Sequence, residues 1–457
     1  MPYSIIHKSQ LEGTLRLDAE YYQPEYLSLI SKIKSQKSKI LGDLAKNTIC
    51  GPFGSAILQE DYREAGVPLI RVSDLNDWFV RDDGLVFIEE SLSEKMKRYQ
   101  VIDGDIVVSQ RGTIAMFSRV TNIFPKWNIS ANLISIKKST QIDFDYLLAF
   151  LNSSYGINQL YRKLSGQVQP KITTDDVKQI IIFTPNVEIQ KEVAKFIQNS
   201  RREQENSKLF YQQAENLLLE ELGLKDFKRE ETLFYIVKFS ETQKVHRIDA
   251  EYFDPIYKKI EKIFGKFRQE RLEDISSLIS YGTVPTSSYT EDGVPYVKGE
   301  NLQSCFIDYS KLDFLEKEST KKLSSKVYLK ENDIIISQMG TVGHAALVKK
   351  SEEGWLFASF TIRVRFKNEA LKILDPLYAT LFINNIGRPY YLLRRISQAS
   401  VRQNTDLPTI KDLKIPILPK PTQQKIADLV KKSHEARSKA KQLLLQAKQK
   451  VEDLIRK

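Results

Sequence analysis

The chain has 457 residues, 41% of them apolar and 28% charged, with a formal net charge of +11. That length predicts roughly two to four domains, each able to bury its own core, so disorder is excluded as the default. No run near ~20 apolar residues offers a membrane span. The opening Met1–Lys8 lacks the layout of a secretory signal. Cys50 and Cys305 are too few for a disulfide framework or a thiolate metal site, which predicts reduced thiols and a cytoplasmic setting.

Taken in chain order, the elements come twice. A short β-like run at Tyr3–His7 precedes Arg16, Leu17, Asp18, Ala19, Glu20, Tyr21 and Tyr22. The same order returns as a run at Phe234–Phe239 followed by Arg247, Ile248, Asp249, Ala250, Glu251, Tyr252 and Phe253. Lysine-rich helical stretches follow at Leu27–Lys39 and Ile256–Phe267. Strand-like runs come next at Val67–Val72, Ile106–Ser109 and Leu133–Ile136, and again at Val294–Val297, Ile334–Ser337 and Ile362–Phe366. Helices are predicted over Phe144–Leu164 and Pro376–Ile396. Each leads into a glutamine-bearing polar loop, Ser165–Lys171 or Ser397–Asn404, and then a β-like run, Ile180–Phe183 or Ile415–Leu418. An offset of about 230 residues is far too long for a solenoid repeat. It marks one domain-sized unit used twice, each copy with its own core.

Both copies end in a long helix introduced by proline, Glu188–Leu222 and Thr422–Ile455, with Gly223 placed to cap the first. Ile426, Leu429, Ser433, Ala436, Ala440, Leu443, Ala447, Val451 and Leu454 recur every three or four residues, as a coiled-coil seam requires. Val193, Ile197, Phe210, Ala214, Leu217 and Leu218 give the first helix an apolar face. Helices this long with a single apolar stripe need a partner, and each is the other's nearest equivalent. Antiparallel pairing would give the two copies the inverted symmetry of duplex DNA.

The order of motifs resembles that of the specificity subunits of type I restriction–modification systems. The likeness rests on Asp18–Tyr22, Gly51–Ser55, Gly66–Arg71, Gly104–Thr113, Ser165–Gln169 and the helix start Pro185–Gln190, and it covers nearly the whole chain. The second copy departs from it at Tyr281–Thr283 and Ser397–Gln403. The resemblance implies an α+β architecture: two tandem pseudo-symmetric α/β target recognition domains separated by two long helices that pair as an antiparallel coiled coil. On that pattern residues 1–185 form the first recognition domain, 186–224 the central helix, 225–420 the second domain and 421–457 the distal helix. It implies a non-catalytic subunit that reads a bipartite, asymmetric site on double-stranded DNA. Its partners would be two methyltransferase subunits and restriction motor subunits, which would carry the S-adenosylmethionine, ATP and Mg. This chain would hold no cofactor and no metal, and no membrane is involved.

The residues themselves give no catalytic centre. Asp254–Tyr257 and Asp375–Tyr378 lack the second proline of an adenine-methyltransferase tetrad, no phosphate-binding glycine loop is present, and His7, His246, His344 and His434 are scattered singly. The positive charge favours a polyanion. Base readout needs forked donors and amides, and positioning on the backbone needs cations and small polar groups. The first copy offers Ser109, Gln110, Arg111, Thr113, Arg162, Lys163, Gln167, Gln169 and Lys171. The second offers Ser337, Gln338, Thr341, His344, Arg394, Arg395, Gln398, Arg402, Gln403 and Asn404. Arg111 stands where Met339 stands in the other copy. Two alternatives stay open: the specificity subunit of a methyltransferase-only or type II-like system, and a coiled-coil scaffold between proteins whose charge is incidental.

Overall fold

A strand whose residues are apolar without alternation must be covered on both faces, and Ile106–Ser109 is such a strand. The computed structural model describes residues 5–8, 11, 16–76, 78–164, 170–227, 234–285, 288–396 and 404–456. They divide into two units, Met1–Gln204 with Arg437–Lys457, and Glu205–Ala436.

In the first unit, Ile106–Ser109 lies at the centre of a five-stranded sheet. The order is Asn47–Cys50, Leu133–Lys137, Ile106–Ser109, Phe117–Arg119 and Trp78–Phe79. Neighbours pair antiparallel except the last two. Ile106 and Val108 pack with Tyr146, Leu147 and Phe150, and with Val193 and Ile197 of the central long helix. Val107, on the opposite face, packs with Trp127 and Ile129. Those two come from a second sheet ordered Val86–Ile88, Val67–Ile70, Trp127–Ile129 and Gln100–Val101. Each fully buried branched side chain here contributes about 1.5–3 kcal/mol.

The second unit repeats the plan. One sheet runs Ser276–Tyr281, Thr361–Phe366, Ile334–Ser337, Ala345–Leu347, and the other Tyr289–Thr290, Asp313–Leu315, Val294–Val297, Leu356–Phe357. Ile334 and Ile336 face the helices, whereas Ile335 meets Val297 and Phe357.

Equivalent polar contacts hold equivalent helices. Asp143 caps Phe144–Leu151 by accepting from the amides of Asp145 and Tyr146, and Asp375 caps Pro376–Phe382 through Leu377 and Tyr378. The glutamine near each long-helix start accepts from the capping residue's amide, Gln190 from Asp143 at 3.0 Å and Gln423 from Asp375 at 2.7 Å. Tyr146 donates its hydroxyl to the Phe183 carbonyl and Tyr378 to that of Pro416, both at 2.8 Å.

Several expectations need correction. The predicted strand at Phe234–Phe239 is absent: residues 234–238 have no regular structure and Phe239–Val245 is helical. Phe234 and Ile236 are 80% and 92% exposed, so their alternation has no sheet to join. Ile5–His7 forms no strand either, and Tyr3 lies outside the described residues. The predicted helix Phe144–Leu164 breaks into Phe144–Leu151 and Ser154–Leu164. There Ser153 turns back to bond the Phe150 carbonyl, and the amide of Ser154 donates to the carboxylate of Glu452 at 2.8 Å. Its counterpart stays helical to Arg395, but Ile383–Leu392 widens to a π-helix around Pro389, which has no N–H to give.

The long helices run Val187–Glu221 and Lys420–Arg456. Within the first unit, Glu192 pairs with Lys450, Ser200 bonds the Ala440 carbonyl, and Glu203 pairs with Lys439. Rising numbers on one helix meet falling numbers on the other, so the pairing is antiparallel. Within the second unit Ser207 meets Ser433 at 3.1 Å, and Ala214 and Leu218 pack with Ile426 and Val430. The buried seam uses Val430, Leu444 and Ile455, not the expected Leu429, Leu443 and Leu454, which are only half-buried. Gly223, at φ +70°, ends the central helix, its amide reaching the Glu220 carbonyl and that of Leu224 the Leu219 carbonyl.

Candidate nucleic-acid interface

In both units the strand that is buried on two faces ends in a serine that closes its own loop. The Ser109 hydroxyl donates to the Thr113 carbonyl and accepts from the Met116 amide. Ser337 does the same with Thr341 and His344. Gly112 and Gly340, at φ +79° and +77°, supply the left-handed turn.

The next residue ties three segments together. The Gln110 amide donates to the Asn132 carbonyl at 2.8 Å, and its own carbonyl accepts from Ile172 at 3.1 Å. Gln338 bonds Phe360 and Thr405 in the same way, at 2.9 and 3.0 Å. Each loop is therefore a braced platform, with Ile172 or Thr405 bonded at its edge.

Four of the expected DNA contacts are corrected by this bracing. Ser109 and Ser337 are buried, with their hydroxyls engaged in the loop. Gln110 is buried, and its side chain lies against the Cys50 sulfur at 3.7 Å. Arg162 is 4% exposed; its Nε donates to the Tyr21 carbonyl and its guanidinium lies 3.9 Å from the Tyr21 ring centre.

Arg162 belongs to a latch that explains the repeated opening motif. Arg16 grips Asp18 with its fork, reaches the Lys163 carbonyl at 2.8 Å, and also lies over the Tyr21 ring. The Arg16 hydrogen bonds hold the Asp18 carboxyl below its ordinary range. In the second unit Arg247 grips Asp249 and bonds the carbonyls of Arg394, Arg395 and Ile396. Arg394 lies over Tyr252 and Tyr257, donates to the Tyr252 carbonyl and pairs with Glu261, so most of its guanidinium is engaged. The motif secures the end of the helix that leads into the glutamine-bearing loop.

Arg111, Thr113 and Lys171 are exposed in the first unit, and Thr341 and Asn404 in the second. Lys163, Gln338, His344, Arg394 and Arg395 are half-buried. Lys163 stands 3.9 Å from Asp176, and Arg395 stacks on Tyr391 at 3.5 Å. Burial and Arg388 hold the His344 imidazole below its ordinary pKa. Gln167, Gln169, Gln398, Arg402 and Gln403 lie outside the described residues.

The platforms differ most at their tips. A bridge joins Met339 to Asn404 in the second unit, and the positions that match them in the first, next to the bonded pair Gln110 and Ile172, are Arg111 and Lys171. A neighbouring turn adds a contrast that the sequence reasoning missed. Val72 is the residue nearest to Gly112, and Gly299 lies against Ser337 and Met339. The exposed residues that follow are Ser73 and Glu300. Ser73 continues the Gly66–Arg71 motif by two residues, which was the available signal. The matching positions thus hold two cations in one unit and two neutral side chains in the other, where a carboxylate stands on the adjoining turn.

The family description "Type I restriction modification DNA specificity domain" matches twice, over residues 24–211 and 266–447. The chain belongs to this family. Two tandem specificity domains account for the duplicated units. Among solved structures the chain is similar to the HsdS subunit from Thermoanaerobacter tengcongensis, at 13% identity over 92% of this chain and 96% of that one, TM-score 0.30. It is also similar to the type I restriction–modification S subunit from M. genitalium, at 13% identity over 92% and 94%, TM-score 0.43. No curated protein matches it. Among the described residues, no helix is long and apolar enough to cross a membrane, and no three His, Cys, Asp or Glu side chains form a candidate metal cluster.

Proposed function

We propose that this specificity-domain protein reads a bipartite DNA sequence, each unit taking one half-site through its braced loop. The observation that carries the reading is the pair of platforms: one frame of hydrogen bonds, built twice, bearing unlike exposed side chains. A repeated frame suits a repeated ligand geometry, and unlike tips suit unlike base pairs. The net charge of +11 supports the phosphate contacts such binding needs. The long helices set the spacer between half-sites. Two methyltransferase subunits supply S-adenosylmethionine chemistry, and restriction motor subunits add ATP- and Mg-dependent cleavage. This chain itself performs no catalysis, and the complex works in the cytoplasm.

Methylation-site mapping in cells carrying this chain with its partner subunits tests the reading. The expected result is one site in two specific halves around an unread gap. Exchanging residues 45–185 for those of another specificity protein should change one half only, and a change in both would defeat the assignment of one half per unit. Adding seven residues to each long helix should widen the gap and leave both halves intact.

A further inference from the structure

We infer that the loop tips choose the base pair: Arg111 reads a G·C pair in one half-site, and Met339 with Asn404 reads an A·T pair at the equivalent place in the other. This rests on the half-site reading above and adds the chemistry of one position in each half.

Arg111 is exposed at the apex of a loop held by the Ser109 hydroxyl, by the Gln110 bonds to Asn132 and Ile172, and by the left-handed Gly112. Among the described residues its guanidinium makes no ion pair or hydrogen bond. That sets it apart from Arg16, Arg71 and Arg119 in the same unit, which hold Asp18, Asp74 and Asp103. A rigid mount with a free fork is what bidentate capture of guanine O6 and N7 needs.

At the equivalent apex Met339 is half-buried and Asn404 is exposed, joined through their bridge. A thioether beside a carboxamide matches one A·T pair in the major groove. The apolar chain meets the thymine methyl, and the amide meets adenine N6 and N7. Glu300 is exposed on the adjoining turn and repels phosphate, so this tip suits a base edge better than the backbone. Ser73 at the matching place in the first unit exerts no such repulsion.

Sites are mapped for the complex containing wild type, Arg111→Ala, Arg111→Lys or Met339→Arg. Affinity for the mapped duplex is then followed as salt is raised. Arg111→Ala should relax one G·C position in one half by about tenfold or more and leave the other half unchanged. Arg111→Lys should keep part of that preference. Met339→Arg should shift an A·T position towards G·C in the other half.

A bipartite wild-type site whose preferences all survive Arg111→Ala, with affinity lowered evenly and the salt slope reduced by about one, would make Arg111 a phosphate contact and overturn the inference. The half-site reading would survive that result. Wild-type complex giving no divided site would overturn the half-site reading itself. If Arg111→Ala abolishes methylation, Met339→Arg decides alone: a new G·C position upholds the inference, and an unchanged site rejects it.

Discussion

The turns around Asp105 and Asp333 occupy the same place in the two units and are held by different cations. In the first, Lys137 reaches the buried Asp105 at 3.0 Å, and the amide of Lys138 adds a bond. In the second, Arg365 takes Asp333 with both arms, at 2.7 and 2.6 Å. Beside it lies Arg363, fully buried where the first unit has Ser135. Arg363 donates to Ser280 and to the Tyr328 carbonyl, and burial pushes its guanidinium down to about 10. The two units thus keep one backbone and solve its buried electrostatics separately. At the loop tips, where Arg111 answers to Met339, the difference is larger still.

Removing the carboxylates should therefore cost unequally. Asp333→Ala removes the ion-pair partner of Arg365 and the counter-charge near the fully buried Arg363, and should destabilise the second unit by roughly 3–5 kcal/mol. Asp105→Ala should cost the first unit about half as much, because Ser135 stands where the second unit has the buried Arg363 and so no second cation loses its counter-charge. Denaturant unfolding with a probe in each unit measures both, and equal losses would mean that the second arginine adds nothing.

The latches give the next contrast. Arg162→Ala should cost about 2–4 kcal/mol through lost packing on Tyr21 and the orphaned Tyr21 carbonyl. Arg394→Ala should cost about half that, since its ion-pair partner Glu261 is 65% exposed. Gly223→Ala should cost about 1 kcal/mol from the left-handed backbone alone, because a Cβ there meets no atom within 4 Å. A larger fall in Tm would point to contacts beyond the helix cap.

The smallest effect separates the units by pH. His344 stands where the first unit has Met116, and burial beside Arg388 lowers its pKa below the unfolded value. The unfolded chain then binds the proton more readily, so this stability is present above the ordinary histidine range and lost as pH falls through it. Burial raises Glu215 and Glu352 above the ordinary carboxylate value, which favours folding in acid and acts in the opposite direction. Comparing wild type with His344→Met isolates the histidine. The variant should lose less stability between neutral and mildly acidic pH, and parallel curves would remove His344 as the cause.

Much of this architecture was legible in the chain. Ile106–Ser109 and Ile334–Ser337 were found to the residue, because a strand covered on both faces leaves an unbroken apolar run between turn residues. The long helices were marked by proline before each start, and the first also by Gly223 after its end. The slip from Leu429 to Val430 has a simple origin: adjacent apolar residues satisfy the same period, and only the partner helix selects between them. Phe234–Phe239 has strand composition, but among the described residues it joins no strand pair. Arg162 misled for a deeper reason. Its partner Tyr21 lies 141 residues earlier, and basic residues beside a polar loop look alike whether they face solvent or an aromatic ring. The platform tips were legible as chemistry, whereas the Ser73 and Glu300 turn needed the fold to bring it alongside.

The helix pair carries hydroxyls inside its seam. Ser200 is fully buried on the Ala440 carbonyl, and Ser207 and Ser433 share a bond, with Ser433 also reaching the Ser207 carbonyl. Sliding either rod by one turn would strand these groups without partners, at roughly 1–3 kcal/mol apiece. The seam behaves like a toothed rack, and lineages that lengthen one rod must lengthen the other in step.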